Sequence, residues 1–321
     1  MEILSYIFKR IFQTIPLLII ISVVSFFLIK VSPVDPLGEL RLNPSISEET
    51  LRQEEKRLGL DKPIYVQYFL WAKNFVKGDL GVSVTGEKVV DRLKERIPNT
   101  LLLTSAVIFF TWLVGLPLGI FAALNWRKPA DRILTILSSV GMAIPSFFFA
   151  LLLLMFAVKT GWFPTGGLTS YNFTSMNWWQ KILDITHHLV LPVTVLFTIS
   201  LSGLQRQMRG NLLDVLESDY VKFARAKGLS ETKVVYKHAL RNAINPMVTL
   251  LGFEFATLLS GAALTEYVFQ YPGLGRLVLE AVMKSDINLV MASLMMGAIM
   301  LILGNLIADI LLKIVDPRVR A

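Results

Sequence analysis

The sequence predicts an all-α integral membrane protein of six transmembrane helices, with a long loop on one side and a helical hairpin on the other. Composition and the distribution of apolar residues carry that expectation. Of the 321 residues, 54% are hydrophobic and only 17% charged, against about 25% charged in soluble domains. Uncharged runs occupy 11–29, 97–126, 133–158, 185–205 and 287–308, and a bilayer needs roughly 17 to 25 such residues. A sixth run, 245–265, is apolar except for Glu254. The absence of cysteine excludes disulfides, zinc ribbons, iron-sulfur clusters and thiol catalysis from this chain.

The first run follows Lys9 and Arg10, is too long for a signal peptide and has no small-residue cleavage site after it, so it reads as a retained helix with its N-terminus in the cytoplasm. Six spans then put 125–132, 205–245 and the C-terminus on the cytoplasmic side. The cations agree: Arg127, Lys128 and Arg132 lie in the first of these loops, and Arg206, Arg209, Lys222, Arg225, Lys227, Lys233, Lys237 and Arg241 in the second. Lys313, Arg318 and Arg320 follow at the C-terminus, whereas the short outer loops hold only Lys159 and Lys181, and Arg276 and Lys284. This is the positive-inside pattern. It accounts for the net charge of +8 through membrane orientation, with no nucleic-acid partner. The chain reads as a single transmembrane domain over 1–321.

The outer loop, about 32–96, has the pattern of ordered structure. Ser45 and Glu48 have capping-box spacing, and helix formers run from Ser47 to Leu58 before Gly59. A second helix is predicted over Ile64 to Val76, with turns at Asp61-Lys62-Pro63 and Lys77-Gly78-Asp79-Leu80-Gly81. A shield over the pore and a docking surface for an external partner both fit this loop.

The loop 205–245 carries the strongest signal. Leu216, Tyr220, Phe223 and Ala224 follow i, i+4, i+7, i+8 spacing, which assigns them to one helical face. Gly228 and Leu229 suit a helix C-terminus, and Ser230 suits the cap of a new helix to about Arg241, with membrane re-entry at Pro246. A short amphipathic helix on a rigid hairpin can fill a groove on another protein, and it can equally lie on anionic lipid.

Here the chain resembles a known family. Asp219-Tyr220-Val221-Lys222-Phe223-Ala224-Arg225-Ala226-Lys227-Gly228-Leu229, then His238-Ala239-Leu240-Arg241-Asn242-Ala243 and Pro246, is similar to the cytoplasmic signature of binding-protein-dependent ABC transporter permeases, in the dipeptide, oligopeptide and nickel branch. The resemblance extends to Gly78-Asp79-Leu80-Gly81-Val82-Ser83, Ile97-Pro98-Asn99-Thr100-Leu101 and Ile144-Pro145-Ser146-Phe147. It continues through Gly261-Ala262, Glu266, Val268-Phe269, Pro272-Gly273-Leu274-Gly275 and Asp316-Pro317-Arg318-Val319-Arg320.

The resemblance implies a permease subunit of an ATP-driven importer in the prokaryotic cytoplasmic membrane. It implies a homologous second permease, two ATP-binding subunits that hold ATP and Mg, and an external substrate-binding protein. Residues 219–229 would form the coupling helix and its turn, with Tyr220, Phe223 and Ala224 as the docking face and Gly228 as the turn. Where the broader consensus has Glu-Ala-Ala this chain has Lys222-Phe223-Ala224, which removes an acidic contact with the ATPase. Di- or oligopeptides are the cargo the branch implies first, with nickel or oligosaccharide as alternatives.

Within the spans, Glu254 is a candidate for the translocation path or for a polar contact between helices, because an ionised carboxylate in lipid costs a few kcal/mol unless paired. Asn305 and Asp309 share a helical face that Lys313 continues, which suits a structural cluster. His187 and His188 are adjacent and point apart, so with His238 they make a poor metal set. No phosphate-binding G-x-x-x-x-G-K-[ST] loop occurs, so ATP hydrolysis belongs to other subunits, and no catalytic constellation stands out. A self-sufficient channel or secondary transporter is the competing class, but it leaves the patterned hairpin without a purpose.

Overall fold

The computed structural model describes residues 2–31, 37–42, 45–57 and 59–315. The terminal 316–320 motif and Leu58 lie outside them. Helices dominate: α1 Glu2–Val31, α2 Gly38–Arg41, α3 Glu48–Arg57, α4 Ile64–Val76, α5 Val89–Leu124, α6 Pro129–Ala143, α7 Ser146–Thr160 and α8 Trp178–Leu216. There follow α9 Asp219–Ala226, α10 Glu231–Lys233, a π-helical stretch Val234–Ala239, α11 Leu240–Gly261, α12 Ala263–Val268, α13 Leu274–Met283 and α14 Ile287–Val315. The extended pairing among the described residues is a lone antiparallel bridge between Val82 and Lys88.

Four helices among the described residues are long and apolar enough to cross a membrane, in α1, α5, α8 and α14. The run 133–158, expected as one span in which Pro145 suits a local kink, is instead two helices, α6 and α7, meeting at 94°. The cause is Pro145, which lacks the N–H a continuous helix needs and drives the preceding residue out of the helical region. Ile144 is extended at φ −82, ψ 120, and Pro145 becomes the cap of α7. The expected fifth span falls on α11, which begins earlier, at Leu240, and carries Pro246 within it.

The chain forms two compact units, Met1–Asn99 with Gly273–Ile302, and Thr100–Pro272 with Leu303–Ala321. In the first unit, α4 packs against α1 through aromatic rings: the Tyr68 ring lies 5.5 Å from that of Phe26, and the Tyr68 hydroxyl is 2.9 Å from Ser22 Oγ. The cap of α3 comes from Ser47, whose Oγ accepts the Thr50 N–H at 3.2 Å, and not from the expected Ser45–Glu48 box. The reason is register, since α3 begins at Glu48 and its N-cap is therefore residue 47. Gly59 then takes a left-handed φ of +68 as expected. The segment just after the Gly78–Gly81 turn is anchored by Asp286, whose carboxylate accepts from the Ser83 hydroxyl and from the Val84 N–H at 3.0 Å, and also caps α14 at the Leu289 N–H, 3.0 Å. Helix α13 was not foreseen from sequence.

The second unit is organised around α8. It starts with a full capping box, Asn177 accepting from the Gln180 N–H and Gln180 returning to the Asn177 N–H. It is 39 residues long in all and passes through Pro192 without a break. Glycines let α5 approach it closely. A Cβ on Gly119 would lie 2.6 Å from Met208 Cβ and 2.9 Å from the Gln205 carbonyl, and one on Gly115 3.0 Å from Leu204. Small residues are the usual means of close helix packing in membranes. Gly119→Val is therefore expected to cost about 1–3 kcal/mol by overpacking, read as a lower thermal midpoint in detergent. Gly203→Ala, which meets nothing within 4 Å and sits inside α8, where alanine is the better helix former, should not lower that midpoint.

Candidate functional site

Between α8 and α11 the chain builds a compact helical projection. Helix α8 ends at Leu216, and Ser218, extended at φ −68, ψ 150, begins α9. The face expected to run unbroken from Leu216 to Ala224 is interrupted there. Helix α9 divides its own apolar residues between two directions. Val221 (0% exposed) and Ala224 (8%) point inward and join Leu204, Met208, Leu212, Val234, Ala239, Ala243 and Met247 in one core. Tyr220 (44% exposed) and Phe223 (61%) point outward. Ala224, grouped with them by spacing, is part of the packing that holds α9 in place.

The end of α9 is a Schellman turn. Gly228 adopts φ +78, its N–H reaches the Arg225 carbonyl at 2.9 Å, and the Leu229 N–H reaches the Ala224 carbonyl at 3.4 Å. A two-pronged ion pair spans this turn: Arg225 donates from Nη2 to Glu231 Oε1 at 2.7 Å and from Nε to Oε2 at 3.1 Å, with Nη1 on the Leu216 carbonyl at 3.3 Å. The Arg225 hydrogen bonds hold the Glu231 carboxyl below the usual glutamate range. Asn242 donates to the Tyr220 hydroxyl at 2.7 Å, tying α9 to α11. Lys227 sits over the Phe223 ring at 4.6 Å, and Lys222 pairs with Asp219 at 3.2 Å in solvent. Ala226 is the last residue of α9, and Leu229 is partly exposed beyond the turn.

The second helix of the hairpin differs from expectation. Ser230 precedes α10 but makes no side-chain cap, and the chain passes through the π-helical stretch into α11 without stopping at Arg241. His238 lies in that π stretch, a form that recurs at functional positions.

Inside the second unit, the Trp112 indole N–H donates to Glu254 Oε2 at 2.8 Å, so this carboxylate joins α5 to α11. The Ser200 hydroxyl of α8 interacts with the same group. The partner Trp112 could not be assigned from spacing, since it lies 142 residues away. Thr100 donates to buried Glu266 at 3.1 Å. His187 bonds the Trp162 carbonyl at 2.8 Å and His188 Nδ1 the Asp184 carbonyl at 2.8 Å. The two rings have separate partners, and no group of three or more metal-binding side chains occurs among the described residues. Asn305 and Asp309 lie in α14, while the side chain of Lys313 is outside the described residues.

Sequence comparison matches residues 115–321 to the family described as binding-protein-dependent transport system inner membrane component. Residues 3–104 match the N-terminal component of the same systems. The oligopeptide transport system permease protein AppB of Bacillus subtilis is 41% identical over 98% of this chain and 99% of its own length. The di/tripeptide permease protein DppB of Pseudomonas aeruginosa is 38% identical, over 99% of both chains. The glutathione permease protein GsiC of Escherichia coli O6:H1 is 36% identical over 99% of both. Among solved structures, the inward-facing MetNI methionine ABC transporter matches with a TM-score of 0.56 at 18% identity, covering 71% of this chain and 97% of that one, which is a likeness of fold.

Proposed function

We propose a peptide cargo and an ATPase-docking role for α9 on the premise that this chain belongs to the family of binding-protein-dependent transport system inner membrane components. It is the membrane permease subunit of an ABC importer. The three relatives named above carry oligopeptides, di- and tripeptides, and glutathione, which share a peptide backbone with charged ends. That shared chemistry supports a short peptide as cargo here. The chain works beside a second, homologous permease in the prokaryotic cytoplasmic membrane, with both termini inside. An external binding protein delivers cargo, and two ATP-binding subunits supply ATP hydrolysis with Mg.

One observation carries the docking assignment. Tyr220 and Phe223 stand exposed on a short helix whose other apolar residues, Val221 and Ala224, are locked into the core around α8. Aromatic side chains presented in this way are the kind of anchor that dominates protein interfaces. Asp219, Arg225, Ala226, Lys227, Gly228 and Leu229 shape and terminate that helix. Closure of the ATPases displaces α9 as a rigid piece, and α8 and α11 carry the motion into the membrane. Glu254, bridged to Trp112, is assigned to the wall of the translocation path.

The test is purification of the chain from its native membrane in mild detergent, followed by mass spectrometry and uptake of labelled tripeptide into vesicles. Recovery of P-loop ATPases and uptake that requires ATP are expected. Recovery of the chain alone, with ATP-independent uptake, would sink the assignment.

A further inference from the structure

Helix α6 is attached to the C-terminal half of α8 by a ladder of side-chain contacts that the family signature does not include. Asp131, in the first turn of α6, accepts Arg209 Nε at 2.5 Å and Nη2 at 2.9 Å, and its Oδ2 also takes the Arg127 N–H at 3.0 Å. The Asp131 side chain is 4% exposed and that of Arg209 24%. Two turns along α6, Ser138 donates to Gln205 at 2.6 Å, and both are buried. At Gly141 the helices nearly touch, since a Cβ there would lie 2.4 Å from Ser202 Oγ. The rungs 131–209, 138–205 and 141–202 run antiparallel along one seam.

The same stretch of α8, through Leu204, Met208 and Leu212, shares one buried core with Val221 and Ala224 of α9. One face of α8 thus grips α9 with apolar contacts while another grips α6 with polar ones. Beyond Gly141, α6 ends at the Pro145 bend. We propose that the Asp131–Arg209 pair is a positioning link that transmits displacement of α9 through α8 to α6, so that α6 moves with the coupling helix and the Pro145 bend takes up the difference from α7. The proposal rests on α9 being the ATPase contact. A bidentate guanidinium–carboxylate pair suits the task because it fixes orientation as well as distance.

Removing one partner would leave a buried charge and threaten folding, so the test uses Asp131→Asn/Arg209→Gln, which removes both, and Arg209→Lys, which keeps the charge but not the fork. Each is reconstituted as the complete transporter in proteoliposomes, and labelled tripeptide accumulated per ATP hydrolysed is measured. The double variant is expected to hydrolyse ATP while its transport per ATP falls about fivefold, the scale of a typical coupling between sites, with Arg209→Lys between it and the parent. A parental ratio in either variant overturns the link, whatever happens to total activity. Undiminished retention of the ATPase by a Phe223→Asp permease would instead overturn the reading on which the link rests, that α9 is the ATPase contact.

Discussion

Phe223→Asp should weaken retention of the ATPase by about 100-fold while leaving the permease folded and in the membrane. Phe223 is 61% exposed and lies outside the core that holds α9, so its replacement leaves that core intact and gives up the Lys227 contact. At an interface the same change removes an aromatic anchor, which costs about 2 kcal/mol or more. It also places a carboxylate in a desolvated groove at about 1–3 kcal/mol. Together some 3 kcal/mol corresponds to about two decades in dissociation constant. Titrating detergent-purified permease with labelled ATPase measures it. Affinity unchanged within threefold would remove Phe223 from the docking face. Val221→Asp is the internal contrast: Val221 is fully buried, so that variant should fail at folding.

Gly228→Val should reduce ATP-driven uptake at least tenfold, by a different route. Nothing lies within 4 Å of a Cβ at Gly228, so there is no collision to relieve. The cost is in the backbone, because φ is +78 and an L-residue pays roughly 1–2 kcal/mol to stay left-handed, a β-branched one more. The turn escapes by rotating φ, which breaks the Gly228–Arg225 and Leu229–Ala224 bonds and pulls Glu231 away from Arg225. Helix α9 then loses its fixed orientation to α11. Gly228→Asn, the residue best tolerated in this conformation after glycine, should recover much of the uptake. Equal uptake by the valine variant in vesicles would show that the turn has no part in coupling.

The elements that sequence foretold are those set by local rules. Gly228 and Leu229 declare a Schellman ending, Pro63 and Gly59 bracket a turn, and the uncharged runs declare membrane helices. The failures arise where a distant partner or a single stereochemical constraint decides. Pro145 marked a local kink within 133–158, but its 94° extent was not legible, since hydropathy does not register how far a missing N–H turns the chain. Helical spacing put Ala224 beside Tyr220 and Phe223, but which residues of α9 face inward depends on where α8 delivers Leu204, Met208 and Leu212. In the sequence Asp131 lies among Arg127, Lys128 and Arg132, with nothing to single out a partner. Only the fold brings it to Arg209, 78 residues away. Trp112 and Glu254 meet for the same reason.

The unbroken length of α8 has a mechanical meaning. At about 1.5 Å per residue, its 39 residues span some 58 Å, nearly twice the roughly 30 Å hydrocarbon layer. Pro192, which leaves the His188 carbonyl without its helical N–H donor, is the natural pivot on this rod. From Pro192 to Leu216 the arm is about 36 Å, so a tilt of about 10° sweeps its tip by ~6 Å, slightly more than one helical pitch. Near the pivot the same tilt shifts neighbouring side chains by only an ångström or so. A large stroke at the α9 end would thereby be geared down into a small, forceful adjustment near Pro192.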